Sequence, residues 1–317
     1  MRHYCRIRRS RLGALSLIIA LGVAIAIQAT AAAGAGVSPL VDADWVARNA
    51  GRPGIVILDI RNRLGGGSAD AYRAGHIPGA VYSDYLKAGW RTTVDGVPGQ
   101  LPPAADLERL IGGLGIDNDS HVVIVAGGQS ALDMGSATRV YWTFKVLGHD
   151  KVSILDGGYR AYVADPARPV ETGWNQPTAK VFQARLRPEM IADYHDVLAA
   201  QQAGAALIDM RPPSQYRGEK RHPAAKRAGT IPGAVNVPES QITFDGGRFV
   251  DAARVAELLR NVGVTTDQDA VAFCNTGHWA SLGWFVQSEI LGNKKVKLYD
   301  GSMVDWSARE ELPVVRP

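Results

Sequence analysis

Short, unbroken apolar runs recur along the chain, separated by longer stretches in which apolar residues return at helical spacing. Gly54-Ile55-Val56-Ile57-Leu58, His121-Val122-Val123-Ile124-Val125, Val152-Ser153-Ile154-Leu155 and Ala270-Val271-Ala272-Phe273 are of strand length with no polar alternation. That is the pattern of strands buried on both faces. Ala104 to Leu114, Ala137 to Leu147 and the stretch after Trp279 carry helical spacing instead. Strands alternating with helices predict a mainly parallel sheet covered on both faces, an α/β fold. Ligands in such sheets bind beyond the carboxyl ends of the strands.

The pattern occurs twice. Ile57-Leu58-Asp59-Ile60-Arg61 matches Leu207-Ile208-Asp209-Met210-Arg211, and Ala74-Gly75-His76-Ile77-Pro78-Gly79-Ala80-Val81 matches Ala228-Gly229-Thr230-Ile231-Pro232-Gly233-Ala234-Val235. Leu114-Gly115-Ile116 pairs with Val262-Gly263-Val264, and Asp156-Gly157 with Asp300-Gly301, in the same order and at similar separations. A duplicated domain follows. The expected layout is an N-terminal domain over 41–165, a linker of polar and Pro character over 166–188, and a C-terminal domain over 189–317.

The start of the chain is different. Arg2, Arg6, Arg8, Arg9 and Arg11 precede an apolar run from Leu12 to Ile27 and then the small residues Ala29-Thr30-Ala31-Ala32-Ala33. This order predicts a secretory signal over 1–33 and export, to a periplasmic location, with no stable membrane association after cleavage. An uncleaved anchor and a twin-arginine route are the alternatives. The segment also distorts the charge: formal net charge is +4, but without those five arginines 30 basic residues face 31 acidic ones. Nucleic-acid binding through global charge is excluded on that count.

Of the two cysteines, Cys5 lies in the signal, leaving Cys274 as a lone thiol in an oxidising compartment. A strand leads into Cys274, and Asn275-Thr276-Gly277-His278-Trp279-Ala280 leads out of it into a helix. Such a strand–loop–helix corner turns several N–H groups towards one point and favours the anionic form of sulfur there. The alternative is a buried, inert thiol. No His/Cys/carboxylate cluster has metal-ligand spacing, no P-loop is present, and no metal or cofactor is expected.

The Asp-x-Arg strand end, the Gly-His-Ile-Pro-Gly-Ala turn, the Cys loop and the closing Tyr299-Asp300-Gly301-Ser302 with Trp306 resemble the rhodanese family, in its tandem-domain thiosulfate/mercaptopyruvate sulfurtransferase form. The resemblance spans Val41 to Pro313. It implies two tandem rhodanese-like domains and a Cys274 persulfide that carries sulfur from a small anionic donor to a thiophilic acceptor, either cyanide or a thiol, with a protein acceptor as a further option. The paired position in the first half is Ala126, so that domain is expected to be catalytically silent. The loop Asn275 to Ala280 is expected to hold donor and persulfide, His278 among them. It lacks Arg or Lys, so Arg217 is the expected donor-binding cation, with Lys220, Arg221, His222, Lys226 and Arg227 steering anions. Asp209, Arg211 and His76 are expected to order the surrounding turns. The resemblance also allows a proton relay of Asp70, His76 and Thr276. A phosphatase of related fold is disfavoured by Ala280, where that chemistry needs Arg.

Overall fold

The structure, a computed structural model, describes residues 1–3 and 37–317. The expected signal segment, with Cys5, lies almost entirely outside the described residues. No helix among the described residues is long and apolar enough to cross a membrane.

Each half forms a five-stranded, all-parallel sheet. In the first half the spatial order is Leu40–Val41, Val152–Leu155, His121–Val125, Ile55–Asp59 and Val81–Tyr82. In the second it is Ile191–Ala192, Val296–Tyr299, Ala270–Phe273, Ala206–Asp209 and Val235–Asn236. The two orders are the same, so the sequence duplication is also a duplication of topology. Ala206–Asp209 and Ala270–Phe273 are buried along their whole length. This is why they read as continuous apolar runs rather than alternating ones. Register places Asp209 beside both Phe273 and Asn236, so Cys274 leaves the middle of the sheet at its carboxyl edge. Asp59 stands likewise beside Val125, and Ala126 leaves the first sheet at the matching place.

The long helix Ala131–Val146 joins the halves. It begins six residues before the expected start at Ala137, because Ser130 caps it, its hydroxyl accepting from the Asp133 N–H at 3.3 Å. Nearly every residue of it is buried, the polar Asp133, Ser136, Thr138, Arg139 and Thr143 included, because elements of both halves pack around it. It packs against the helix Ala280–Phe285 that follows the Cys loop. Tyr141 meets Phe285 edge-on at 5.0 Å, and the Thr138 and Ser281 hydroxyls bond at 2.7 Å.

Each half also sends a small hairpin to the other. Thr92–Val94 with Val97–Gln100 leads to Leu101, whose N–H donates to Asp300 Oδ2 at 2.7 Å. Thr243–Phe244 with Arg248–Phe249 reaches back, and the Phe249 N–H donates to Asp156 Oδ1 at 2.9 Å. The segment 166–188 is not a free linker. Its backbone bonds to the first half through Glu171–His76, Lys180–Gly112, Arg185–Leu147 and Arg187–Val146, and Phe182 is buried in the core.

Candidate active site

The corner at Cys274 is set by what captures its carbonyl groups. The Cys274 and Asn275 carbonyls accept from the N–H groups of Met303 and Val304, at the start of the helix Ser302–Ala308, at 3.1 and 3.0 Å. The Thr276 carbonyl accepts from Arg91 Nη2 at 2.5 Å, and the Gly277 carbonyl from Arg139 Nη1 at 3.2 Å. The His278 carbonyl accepts from the Ser281 hydroxyl at 2.7 Å. Every carbonyl from 274 to 278 is therefore held by the surrounding protein. The N–H groups of Asn275, Thr276, His278 and Trp279 donate to no acceptor among the described residues. A run of unspent amides beside a thiol is a receptor for negative charge.

Two features hold the loop in this shape. Gly277 has φ +73°, and a Cβ there would stand 2.4 Å from Arg139 Nη1 and 2.6 Å from Asp300 Oδ1. Only glycine fits both the conformation and the space. Ser302 takes φ +50°, an uncommon choice for a residue with a side chain. Its hydroxyl accepts from the Cys274 and Gly277 N–H groups at 3.0 and 3.2 Å and donates to the Tyr299 carbonyl at 2.8 Å. The strained backbone aims one hydroxyl at both ends of the turn. Cys274 itself is covered, with 1% of its surface exposed.

The site residues expected from sequence divide into several groups. Ala280 is buried at the helix start, and Trp279 is half-buried against the core with its indole N–H unpartnered. Asn275 is buried; its amide donates to Gln215 Oε1 at 2.8 Å and its own oxygen has no partner among the described residues. His278 departs from the expectation that it serves substrate. Its Nδ1 lies 2.8 Å from the Tyr85 hydroxyl and its Nε2 2.8 Å from the Leu132 carbonyl. Since a carbonyl only accepts, Nε2 carries the proton and Nδ1 accepts from Tyr85. Both nitrogens are spent on the first half. Burial, reinforced by the Arg91 charge and opposed by the Leu132 carbonyl, pushes its pKa down to about 3, so it is neutral. A Cβ on Gly135 would lie 2.6 Å from Nε2, so that glycine makes room for the ring.

Arg217 also differs from expectation. It is exposed and pairs with Glu219 at 2.6 Å; the residue of that segment that touches the Cys loop is Gln215. The cations on the loop come from the first half: Arg91, and Arg139, which is fully buried and ion-paired with Asp300 at 2.5 Å. Arg227 of the basic cluster is engaged with the carbonyls of Trp306, Ser307, Arg309 and Leu312. Asp209 holds Arg211 and accepts from the Thr230 hydroxyl at 2.7 Å, while Arg211 also donates to the Gly229 carbonyl at 2.8 Å. Asp59 and Arg61 repeat this in the first half. His76 is buried, stacked on Tyr72 at 3.9 Å and 3.6 Å from Glu171. Asp70 is exposed and paired with Arg73. Neither has a partner in the Cys loop, so no relay with Thr276 is assembled.

Arg91, Arg139, Tyr85, Gln215 and Ser302 enter the site without having been assigned from sequence. Two had a usable signal. Arg139 is the one charge in the stretch Ala137 to Phe144, between the apolar faces of the helix, and Ser302 falls where the repeat has Gly158. No group of three or more His, Cys, Asp or Glu that could hold a metal occurs among the described residues.

A rhodanese-like domain profile matches residues 42–165 and 193–309. A relative from Saccharopolyspora erythraea, provisionally named thiosulfate sulfurtransferase, is 30% identical over 285 residues, covering 88% of this chain and 96% of its own. The sulfur carrier protein TtuD of Thermus thermophilus is 31% identical over 288 residues, covering 87% of this chain and 96% of its own. The crystal structure of SseA from Escherichia coli, described as a 3-mercaptopyruvate sulfotransferase, superposes with a TM-score of 0.72 at 30% identity, covering 84% of this chain and 99% of that one. The chain belongs to the rhodanese family, with two tandem domains. Within that family it is a sulfurtransferase.

Proposed function

We propose that the protein moves a sulfane sulfur from thiosulfate to cyanide or a thiol through a persulfide on Cys274. The Cys274 thiolate attacks the outer sulfur of thiosulfate; the S–S bond of the donor breaks and sulfite leaves with the bonding pair. The acceptor then attacks the terminal sulfur of the persulfide, releasing thiocyanate when it is cyanide, and regenerates the thiolate. Each step leaves one negative charge on sulfur at the corner. The observation that carries this reading is the set of unspent amides of Asn275, Thr276, His278 and Trp279, held by captured carbonyls. Fixed donors of this kind are each worth about 3 kcal/mol where charge concentrates. The coverage of Cys274 requires the groups above the thiol to give way when donor enters.

Purified protein is expected to form thiocyanate from thiosulfate and cyanide, with at least a thousandfold loss in Cys274→Ser. Greater turnover with mercaptopyruvate in a parallel assay would move the substrate assignment and leave the persulfide in place. The likeness to the carrier TtuD supports a second reading, in which the persulfide passes to a protein acceptor. A stable persulfide with negligible small-molecule turnover would favour it. Export to the periplasm, on the strength of the first 33 residues, completes the proposal.

A further inference from the structure

Arg91 is half-buried and comes from the silent half, just ahead of its hairpin. Its Nε donates to the Gly99 carbonyl at 3.0 Å and its Nη2 to the Thr276 carbonyl at 2.5 Å. Its Cζ lies 5.9 Å from the centre of the Tyr85 ring. The seat is made for it: Gly99 sits at φ +88°, and a Cβ there would be 2.0 Å from Nη2. Other arginines near the two carboxyl edges have a carboxylate: Arg61 has Asp59, Arg139 has Asp300, Arg211 has Asp209, and Arg217 has Glu219. Arg91 pairs with none among the described residues, and its Nη1 is not engaged by any acceptor among them. A partly desolvated guanidinium without a counter-ion is costly. Its charge is felt across the site, by Tyr85, His222 and His278.

We infer that Arg91 is the cation of the reaction centre, the counter-ion of the Cys274 thiolate and persulfide and the specificity-determining residue that favours an anionic sulfur donor. The inference rests on the sulfur-transfer reading above. The loop carries no basic residue of its own, and the other half supplies one. Arg91 acts in two ways from a single seat: it fixes the Thr276 carbonyl, and with it the peptide units whose amides are unspent, and it adds a full charge to theirs.

The test compares alkylation of Cys274 by iodoacetate and by iodoacetamide, reagents of one size that differ in charge. The ratio of their rates, iodoacetate over iodoacetamide, is expected to fall about tenfold in Arg91→Met and to stay within threefold of wild type in Arg91→Lys. In wild type the ratio is expected to fall as salt is raised, a measurement that does not depend on any variant folding. The kcat/KM for thiosulfate should follow the ratio. A ratio that is insensitive to both salt and Arg91→Met overturns the role of Arg91 and leaves the nucleophile standing. A wild-type thiol inert to both reagents overturns the sulfur-transfer reading itself, and this inference with it.

Discussion

The two halves offer the same corner to the same point of the same sheet, and one of them is plugged. In the first half the Ala126 and Gly127 carbonyls are captured by the Tyr159 and Arg160 N–H groups at 2.8 and 3.0 Å, as Cys274 and Asn275 are captured by Met303 and Val304. There the Gly128 and Gln129 amides converge on Asp133 Oδ2 at 2.6 and 3.1 Å. The carboxylate lies where an anionic ligand would lie. Burial raises its pKa while the amides of Gln129, Gly128 and Gly127 oppose the rise. In the second half the equivalent amides meet no carboxylate among the described residues. A missing nucleophile and an occupied receptor therefore both set the first half's corner apart from the second's. Ser302, bonded to the Cys274 N–H, corresponds to Gly158 at φ +60°, so the second copy has placed a hydroxyl where the first keeps glycine.

The sharpest way to break this comparison is to exchange the nucleophiles. Cys274→Ser combined with Ala126→Cys should stay at least a thousandfold below wild type in thiocyanate formation, because Asp133 fills the transplanted site. Recovery of turnover would show the plug to be irrelevant. Next in size is Ser302→Gly, which gives the active corner the residue of the silent one. Activity should fall by roughly tenfold to a hundredfold as the loop loses its pin. Stability measured in urea should change by no more than about 1 kcal/mol, since relief of the positive φ offsets the lost hydrogen bonds. Asp133→Asn is expected to reverse the pattern: about 1–2 kcal/mol of stability lost by denaturant melting, with turnover within twofold of wild type. The smallest effect concerns pH. His278 stays neutral in the folded protein down to about 3, whereas an unfolded imidazole titrates near 6.5. Between those values the unfolded chain binds the extra proton, so stability falls as pH falls, by at most about 1.4 kcal/mol per unit. Urea midpoints at pH 6.5 and 5.5 should differ less in His278→Gln than in wild type. Glu239, pushed up to about 7 mainly by burial, acts in the opposite sense between 4.5 and 7. It is common to both proteins and cancels in the difference.

Much of this architecture is legible in the sequence because its signals are local. Ile55–Asp59, His121–Val125, Val152–Leu155 and Ala270–Phe273 are strands because both their faces are covered, and continuous apolar runs record that directly. The duplication fixes the topology of one half from the other. The shape of the corner follows from a strand, Gly277 and a helix start in succession. What could not be read is whatever one half lends the other. Arg91 lies in a stretch without apolar rhythm, and nothing nearby in the chain marks Thr276 as its partner. Arg217 reads as the donor-binding cation because the Cys loop has none of its own and a guanidinium suits an anionic donor, but Glu219, two residues on, holds it in an ion pair. His278 reads from sequence as one of the loop's donors, and only the fold reveals Tyr85 and Leu132 on its two nitrogens. The strap over 166–188 read as a linker because main-chain hydrogen bonds leave no mark on side-chain identity.

The exchanged hairpins give the duplication a lasting meaning. Leu101 rests on Asp300 and Phe249 on Asp156, so each copy closes with a piece of its sibling. Once such a handshake exists, neither copy can be lost without leaving the other ajar. The first half is thereby kept as a working wall for the corner at Cys274, with or without chemistry of its own.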